Sequence, residues 1–493
     1  MKSFNLSSRI PHNRKQAGKI FKKCFHLMAM IVFILFFSGC AGETEPVLLR
    51  VAIPYSDHVQ DPETNYYINW LEEKTGFQIE PVTVSQTNGA DYLSALFASD
   101  SDMDIVMFGE DFEISEQDLI SHEEAGELAK REDGSYFYPN IGRKASGDCG
   151  QILWINAGWL KRLGLKMPEN TEKFKEMLTA FRDLDPNGNG IKDEIPLIGS
   201  CKNYAFNPVE LVLNSFCYND PLHNRMFADM NGQEKSAVLT DGFRDGIVFC
   251  HLLYEEGLLD ERTFTYSKEA LSELLNSPLD LVGAFTTDSI SDVLYQGNSE
   301  IMARFMHAAP FEGPWGEKHA LYVGRVPDIG AVIPSKSRHK TEAELLLATM
   351  MTEEASLIAR YGEEGVDWDY SDGLDVSIFG TPSTIVTENY IWNTPQNKHL
   401  NGIGVMVVPE KYLRGVTWNG ANSDAEYIDA RAQMSYSAFL PEQISEDRYD
   451  SGLSAYMDSE ITAFVAGEKD ALNDGEWEEF TKALKRYGVR QGK

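Results

Sequence analysis

Asp185, Asn187, Asn189 and Asp193 fall at positions 1, 3, 5 and 9 of the run Asp185-Pro186-Asn187-Gly188-Asn189-Gly190-Ile191-Lys192-Asp193-Glu194. Carboxylate and amide oxygens at that spacing, with Gly190 at position 6 for a tight turn and the Ile191 carbonyl at position 7, follow the order in which a loop wraps a hard cation. The twelfth residue is Pro196, which cannot supply the bidentate carboxylate of an EF-hand, and Glu194 is the substitute two residues earlier. The reading is a single structural Ca2+ held by Asp185, Asn187, Asn189, Ile191, Asp193 and Glu194, ordering a surface loop without doing chemistry. The competing reading is an Asn-Gly turn laced with charges, which is favourable without any ion.

Patterns for bond-making chemistry are missing. No H-E-x-x-H, G-x-x-x-x-G-K-S/T, G-x-S-x-G or G-x-G-x-x-G is present, and the ten histidines are scattered without ligand spacing. Those absences weaken metalloprotease, nucleotide, serine-hydrolase and dinucleotide readings. With 76 acidic residues, close carboxylate pairs arise by default and say little about glycoside hydrolysis. No catalytic residue is assigned, and the chain reads as a binding protein rather than an enzyme.

Aromatic side chains are the recognition groups that remain. Sugar faces pack on Trp and Tyr rings while hydroxyls meet Asn, Asp, Glu and Arg, in a cleft that is mostly preformed. Candidates are Trp154 and Asn156 at the start of a second domain, Trp315 in the segment FEGPWG, Trp368 with Tyr370 in an aperiodic region, and Trp392 in a further loop. A core or lid-packing role competes for each. Trp70 and Trp477 lie on helix stripes and read as core.

The elements that must position these groups begin at Val47–Ile53, a strand ended by Pro54-Tyr55. A helix over 64–75, a strand over 77–84, a helix over 91–98 and a strand over 105–108 follow. The alternation implies a parallel sheet covered by helices, and ligands of such sheets bind beyond the carboxyl ends of the strands. Tyr55 and Glu110 stand at those ends. The pattern restarts with the strand QILWI, a helix over 157–163, and a helix capped by Asn170 or Thr171. That second helix has Phe174, Met177, Leu178 and Phe181 on one face. Helices are further expected over 242–253, from a Thr341/Glu344 capping box through Met350, from Thr352 to Gly362, and after Asp474.

At the N-terminus, seven basic residues and no acidic one precede the apolar run Leu27–Phe37, which meets Ser38-Gly39-Cys40. As a helix the run would span about 16 Å, roughly half a bilayer core, the length of a signal-peptide h-region; an uncleaved anchor is the competing reading. Loss of residues 1–39 leaves 76 acidic against 37 basic residues, a formal net charge of −39. Non-specific nucleic-acid binding is then excluded for want of a cationic face. More than 450 mature residues imply two domains. Cys149, Cys201, Cys217 and Cys250 leave disulfides and buried free thiols equally open.

Five stretches together give a resemblance: the lipobox-like junction at Cys40, DYLSALFASDSDMDIVMF (91–108), ILWINAGWLKRLGLKMPENTEKFKEMLTAFRDLDPNGNGIKDEIPL (152–197), EEASLIARYGEEGVDW (353–368) and ITAFVAGEKD (461–470). The chain resembles the family 1 extracellular solute-binding lipoproteins of ABC importers, of the lipoprotein LplA type, and is similar to calcium-binding alginate-binding proteins. The resemblance implies an α/β, two-lobed periplasmic-binding-protein-like (type II) fold, with parallel-rich sheets flanked by helices and a hinge. It implies a signal peptide over 1–39, a first lobe from 40–150 and 306–340, and a second lobe from 151–305 and 341–493. A lipidated Cys40, bearing palmitate-like acyl chains, would hold a monomer at the extracytoplasmic face of the cell membrane. There it would bind an oligosaccharide between the lobes and pass it to permease subunits. A peptide or other solute is the alternative ligand, and a surface glycoside hydrolase or an adhesion protein the alternative class.

Overall fold

The computed structural model describes residues 46–84, 102–109, 130, 137–141, 149–228, 233–295, 299–323, 328–389, 395–418, 425–437 and 451–489. The leader, Cys40, the helix expected at 91–98, Glu110 and Trp392 lie outside the described residues.

The first strands form where the sequence alternates or runs apolar: β1 (Leu48–Pro54), β2 (Gln78–Val84), β3 (Ile105–Met107) and β4 (Phe137–Ile141). They are followed by β5 (Ile152–Asn156), the hairpin β6 (Met226–Ala228) and β7 (Glu234–Ser236), β8 (Ala284–Thr287), β9 (Phe305–Ala308) and β10 (Asp328–Val332). Later come β11 (Trp368–Tyr370), β12 (Ile385–Thr387), β13 (Met406–Val407) and β14 (Val416–Trp418). Between β1 and β2, Asn65 caps the helix Tyr66–Thr75 by accepting the Tyr67 N–H at 3.0 Å, and Gly76 ends it in the left-handed region at φ 74°.

A six-stranded sheet has the order β13-β4-β10-β3-β1-β2. β1 pairs parallel with β2 and β3, β13 pairs parallel with β4, and β10 alone runs against its neighbours β3 and β4. Pro54, Val84, Met107, Ile141 and Val407 therefore all end on one edge, and β10 starts from that same edge at Asp328. Helices Lys340–Met350 and Glu353–Tyr361 pack on the helix Tyr66–Thr75, and Ser356 Oγ accepts the Val407 N–H at 2.8 Å, tying both to this sheet. The short sheet β11-β12-β14 joins them through Trp368 and Trp418, both of whose rings meet Tyr361.

A second sheet, β8-β5-β9, is antiparallel throughout and fully buried along β5. On one of its sides Leu153, Ile155, Trp159, Phe174, Phe181 and Phe243 share a core with Met457, Phe464 and Phe480 of the C-terminal helices. On the other, Ile152, Trp154 and Phe285 pack with Ala432 and Tyr436 of the helix Ala425–Ser437. Each such large side chain taken from water contributes about 1.5–3 kcal/mol, so these faces hold the helices in place. The fold is α/β and periplasmic-binding-protein-like, with mixed sheets flanked by helices.

The chain divides between the two groups differently from expectation. β9, Phe311 and Ala320 belong to the second core, so the return to the first sheet comes between Val323 and Asp328 rather than near 306. The described residues of 340–418 join the first sheet, and only those of 425–437 and 451–489 return to the second core, whereas 341–493 was expected there as one piece. No break in composition marks these passages; apolar faces on the helices choose their partners only through tertiary packing. The Thr341/Glu344 box is not formed either: the helix begins at Lys340 after His339, which makes no capping bond. Asn473, rather than Asp474, caps the last helix.

Within the first group, His399 is buried beside Arg360 and His58, and its Nδ1 accepts the Asn401 N–H at 3.1 Å. Burial first, then the neighbouring Arg360 guanidinium and the His58 ring, push its pKa from 6.5 down to about 3. Between those values the unfolded chain takes up a proton that the folded chain refuses, so this group's stabilisation is complete above about pH 6.5 and declines as pH falls toward 3. His399→Asn, which keeps an acceptor near Nδ1, is expected to lose less melting temperature between pH 7 and pH 4.5 than wild type in calorimetry; equal losses would contradict this.

Candidate functional site

The edge where β1, β3 and β4 end is also the edge from which the chain departs for the second core. β4 stops at Ile141 and the chain reappears at Cys149; it comes back between Val323 and Asp328, and departs again between Trp418 and Ala425. Tyr55 follows β1 on this edge, 59% exposed, with its backbone N–H on the Val84 carbonyl at 2.9 Å and its hydroxyl donating to Asp57 at 2.7 Å. Gly109 follows β3 on the same edge. Exposed aromatic and polar groups beyond strand carboxyl ends are where ligands of α/β sheets sit.

On the opposite side of the passages the second sheet begins. Cys149 bridges Tyr322, and Gly150 donates to the Leu321 carbonyl at 2.9 Å. The Gln433 side chain completes the tie by accepting the Cys149 N–H at 3.1 Å and donating to its carbonyl at 3.1 Å. A Cβ on Gly150 would lie 2.3 Å from Val323 Cγ1, so the Val323 side chain packs into the space that the glycine leaves open.

Just inside this tie is a pocket whose walls include Gln151, Asn214, Ser215, His319, Leu321 and Tyr436. Gln151 Nε2 donates to the carbonyls of Tyr204 at 2.8 Å and Asn207 at 2.7 Å, while its Oε1 is buried without a hydrogen-bond partner. Tyr436 accepts the Leu153 N–H at 2.8 Å, and burial drives its phenol pKa far above the ordinary range.

The expected recognition residues scatter. Trp154 is fully buried, edge-on to His307 at 6.1 Å, and its indole N–H has no partner. His307 in turn contacts Ser435 Oγ at 3.0 Å, and burial lowers its pKa. Asn156 stands at the other end of β5, about 13 Å along the strand from Ile152. Its Oδ1 caps the helix Ala157–Leu163 through the Trp159 N–H, and its Nδ2 donates to Asp280 at 2.8 Å. Trp368 is buried, with its indole on the Gly362 carbonyl at 2.9 Å and its ring edge-on to the half-exposed Tyr370. Trp315 is 70% exposed and donates to Asp245 at 3.1 Å. Gln151, Gln433 and Tyr436 escaped sequence reasoning, since an amide before an apolar strand and two residues on a late helix carry no motif.

The calcium expectation is overturned. Among the described residues no group of three or more His, Cys, Asp or Glu side chains comes together that could hold a metal ion. The loop oxygens are instead turned onto the loop itself. Asp185 accepts the N–H groups of Gly188, Asn189 and Gly190, Asn187 accepts that of Asn189, and Asp193 accepts the side-chain amides of Asn187 and Asn189. The Glu194 carboxylate is covered by protein, and desolvation raises its pKa against the opposing effect of nearby backbone N–H groups. The turn of Asx-type bonds is thus self-sufficient. No disulfide joins the four described cysteines, Cys149, Cys201, Cys217 and Cys250.

No family model matches the chain. It is similar to the fructooligosaccharide ABC transporter substrate-binding protein FusA of Streptococcus pneumoniae, 32% identical over 127 residues that make up 25% of this chain and 23% of that protein. It is also similar to lipoprotein LipO of Bacillus subtilis, 23% identical over 62% of this chain and 65% of that one. The chain thus spans less than two thirds of the curated relatives it matches. In three dimensions it matches FusA in complex with kestose at a TM-score of 0.65 and 19% identity, over 90% of this chain and 96% of that one. A milk-oligosaccharide-binding, ABC-transporter-associated solute-binding protein of Bifidobacterium longum infantis matches at 0.66 and 19%, over 90% and 97%. These solved structures share the fold described above.

The burial contrast between the tryptophans is testable by chemical denaturation. Trp368→Ala is expected to cost about 3–5 kcal/mol, the range for emptying a core aromatic site. Trp315→Ala should cost under about 1 kcal/mol. Equal costs would show that the two rings are not placed as described.

Proposed function

We propose that this chain is the solute-binding receptor of an ABC importer and binds a neutral oligosaccharide without chemical turnover. The observation that carries the reading is topological. Parallel strands open their carboxyl ends on the edge at which the chain passes three times to a second core, so a solute held there touches both groups and is released when they part. Tyr55 supplies a ring face on that edge. The FusA likeness in sequence and fold supports carbohydrate as the ligand class.

In this reading residues 1–39 are a cleaved export signal, and acyl chains on Cys40 hold the body at the outer face of the cell membrane. The strong acidic excess keeps that body off an anionic bilayer, so it works on a tether as a monomer and meets permease subunits from outside. Exposed Tyr370 and Trp315 are further candidate sugar contacts.

A thermal-shift screen of the mature chain against neutral oligosaccharides, beginning with kestose, and against peptides tests the ligand class. A ligand at a hundredfold excess over its Kd stabilises by about 2.7 kcal/mol, a clear rise in melting temperature. The expected result is stabilisation by a sugar that is recovered intact; stabilisation by peptides alone, or cleavage of the sugar, refutes the reading. For the anchor, cells fed labelled palmitate should label the wild-type chain and not Cys40→Ser.

A further inference from the structure

The segment after β9 leaves and rejoins the second sheet at the end of β5 where the chain passages lie. β9 runs against β5 and finishes at Ala308 beside Leu153, and the chain comes back at Leu321, whose carbonyl accepts the Gly150 N–H at 2.9 Å. Residues 309–320 thus begin and end on that edge.

This segment carries Trp315, which is 70% exposed. Of the eight tryptophans, Trp392 lies outside the described residues, and among the other seven Trp315 alone is exposed. A large apolar side chain left in water forgoes about 1.5–3 kcal/mol, and a slack loop would fold it back. The backbone here is not slack. Glu312 donates to the Glu169 carbonyl and accepts the Thr171 N–H, each at 2.9 Å, which ties the loop to the start of the helix Thr171–Asp183. Ser215 Oγ donates to the Phe311 carbonyl at 3.0 Å, and the His319 N–H to the Asn214 carbonyl at 3.0 Å. Gly313 donates to the Glu317 carbonyl at 2.9 Å, closing a turn in which Gly316 is left-handed at φ 82°. A Cβ on Gly313 would lie 1.6 Å from the Ser215 carbonyl oxygen, so backbone rests on backbone at this point.

The ring has an anchor of its own. Trp315 Nε1 donates to Asp245 Oδ2 at 3.1 Å, and Asp245 stands on the helix Asp241–Glu255, fastened to the second core by Phe243, Ile247 and Cys250. Loop and anchor are both fixed, so the ring plane is set before any ligand arrives. An apolar face whose polar edge is already satisfied is what the C–H face of a sugar stacks on, and presetting it spares the entropy of ordering the ring on binding.

We propose that Trp315 is a preset stacking platform for one unit of the bound sugar and that Asp245 is its positioning residue. The inference rests on the oligosaccharide reading above.

The test uses the mature chain and the tightest neutral sugar from the screen, kestose as first probe, with affinities from calorimetry. Trp315→Ala should weaken binding about tenfold or more while the ligand-free protein keeps its melting temperature. Asp245→Ala should weaken it about threefold or more, and Asp245→Asn, which keeps an acceptor oxygen, should stay within about twofold of wild type. In Trp315→Phe, which keeps a ring but has no N–H to anchor, adding Asp245→Ala should change nothing further. Sugar should also shift the tryptophan fluorescence of the wild type and not that of Trp315→Phe. Wild-type affinity in Trp315→Ala overturns the platform and leaves the carbohydrate reading standing; an equal loss from Asp245→Ala in wild type and in Trp315→Phe overturns the positioning role. Should Asp245→Ala fail to fold, a crystal structure of the wild type with the sugar decides. A sugar ring on Trp315 with the indole still bonded to Asp245 upholds the inference, and a sugar away from Trp315 or an indole turned off Asp245 overturns it. Failure of every neutral sugar to bind would remove both readings.

Discussion

One strand runs the wrong way, and the architecture depends on it. β10 is inserted between β3 and β4 against the direction of both, and its first residue sits on the edge where the parallel strands finish. Outgoing β4 and incoming β10 are therefore hydrogen-bonded neighbours, so the excursion to the second core starts and ends side by side. The fit around β10 is close: a Cβ on Gly330 would lie 2.5 Å from the Gly404 carbonyl oxygen. That carbonyl accepts the Asn140 side-chain amide at 2.7 Å, joining β4 to the chain entering β13.

The second core answers with a lock of its own. Cys149 is tied to residues beside the other two passages, to Tyr322 through a backbone bridge and to Gln433 through a side-chain amide that mimics a backbone pair. Bonds of this kind make the passages move together, the condition for hinge bending rather than independent loop motion. Across from them a Cβ on Gly380, of the first group, would lie 3.9 Å from the methyl end of Met434, on the helix that carries Gln433. A flexible, polarisable side chain at such an approach can repack as two surfaces slide.

Legibility in the sequence followed the range of the interaction. β1, β2, β3 and β5, and the helix with Phe174, Met177, Leu178 and Phe181, are written in local periodicity and caps, and they formed as expected. The assignment of 340–418 to the first sheet was not legible, because Leu346 and Leu347 mark a buried face without saying what buries it. The 185–194 run misled for a related reason. Oxygen-bearing side chains at alternate positions can face a cation or their own backbone N–H groups, and spacing alone does not choose between the two. The aromatics expected to meet a ligand divide by burial: Trp154 and Trp368 are taken into the core, whereas Tyr55, Trp315 and Tyr370 stay exposed, and residue type alone does not tell these outcomes apart.

The proposed receptor stands on a solute being held where the two sheets' edges meet the chain passages. Small-angle scattering of the mature chain, with and without a saturating oligosaccharide, tests this most directly. Closure of the two cores around the sugar predicts a smaller radius of gyration in the bound state; a sugar bound at saturation with the radius unchanged would contradict it.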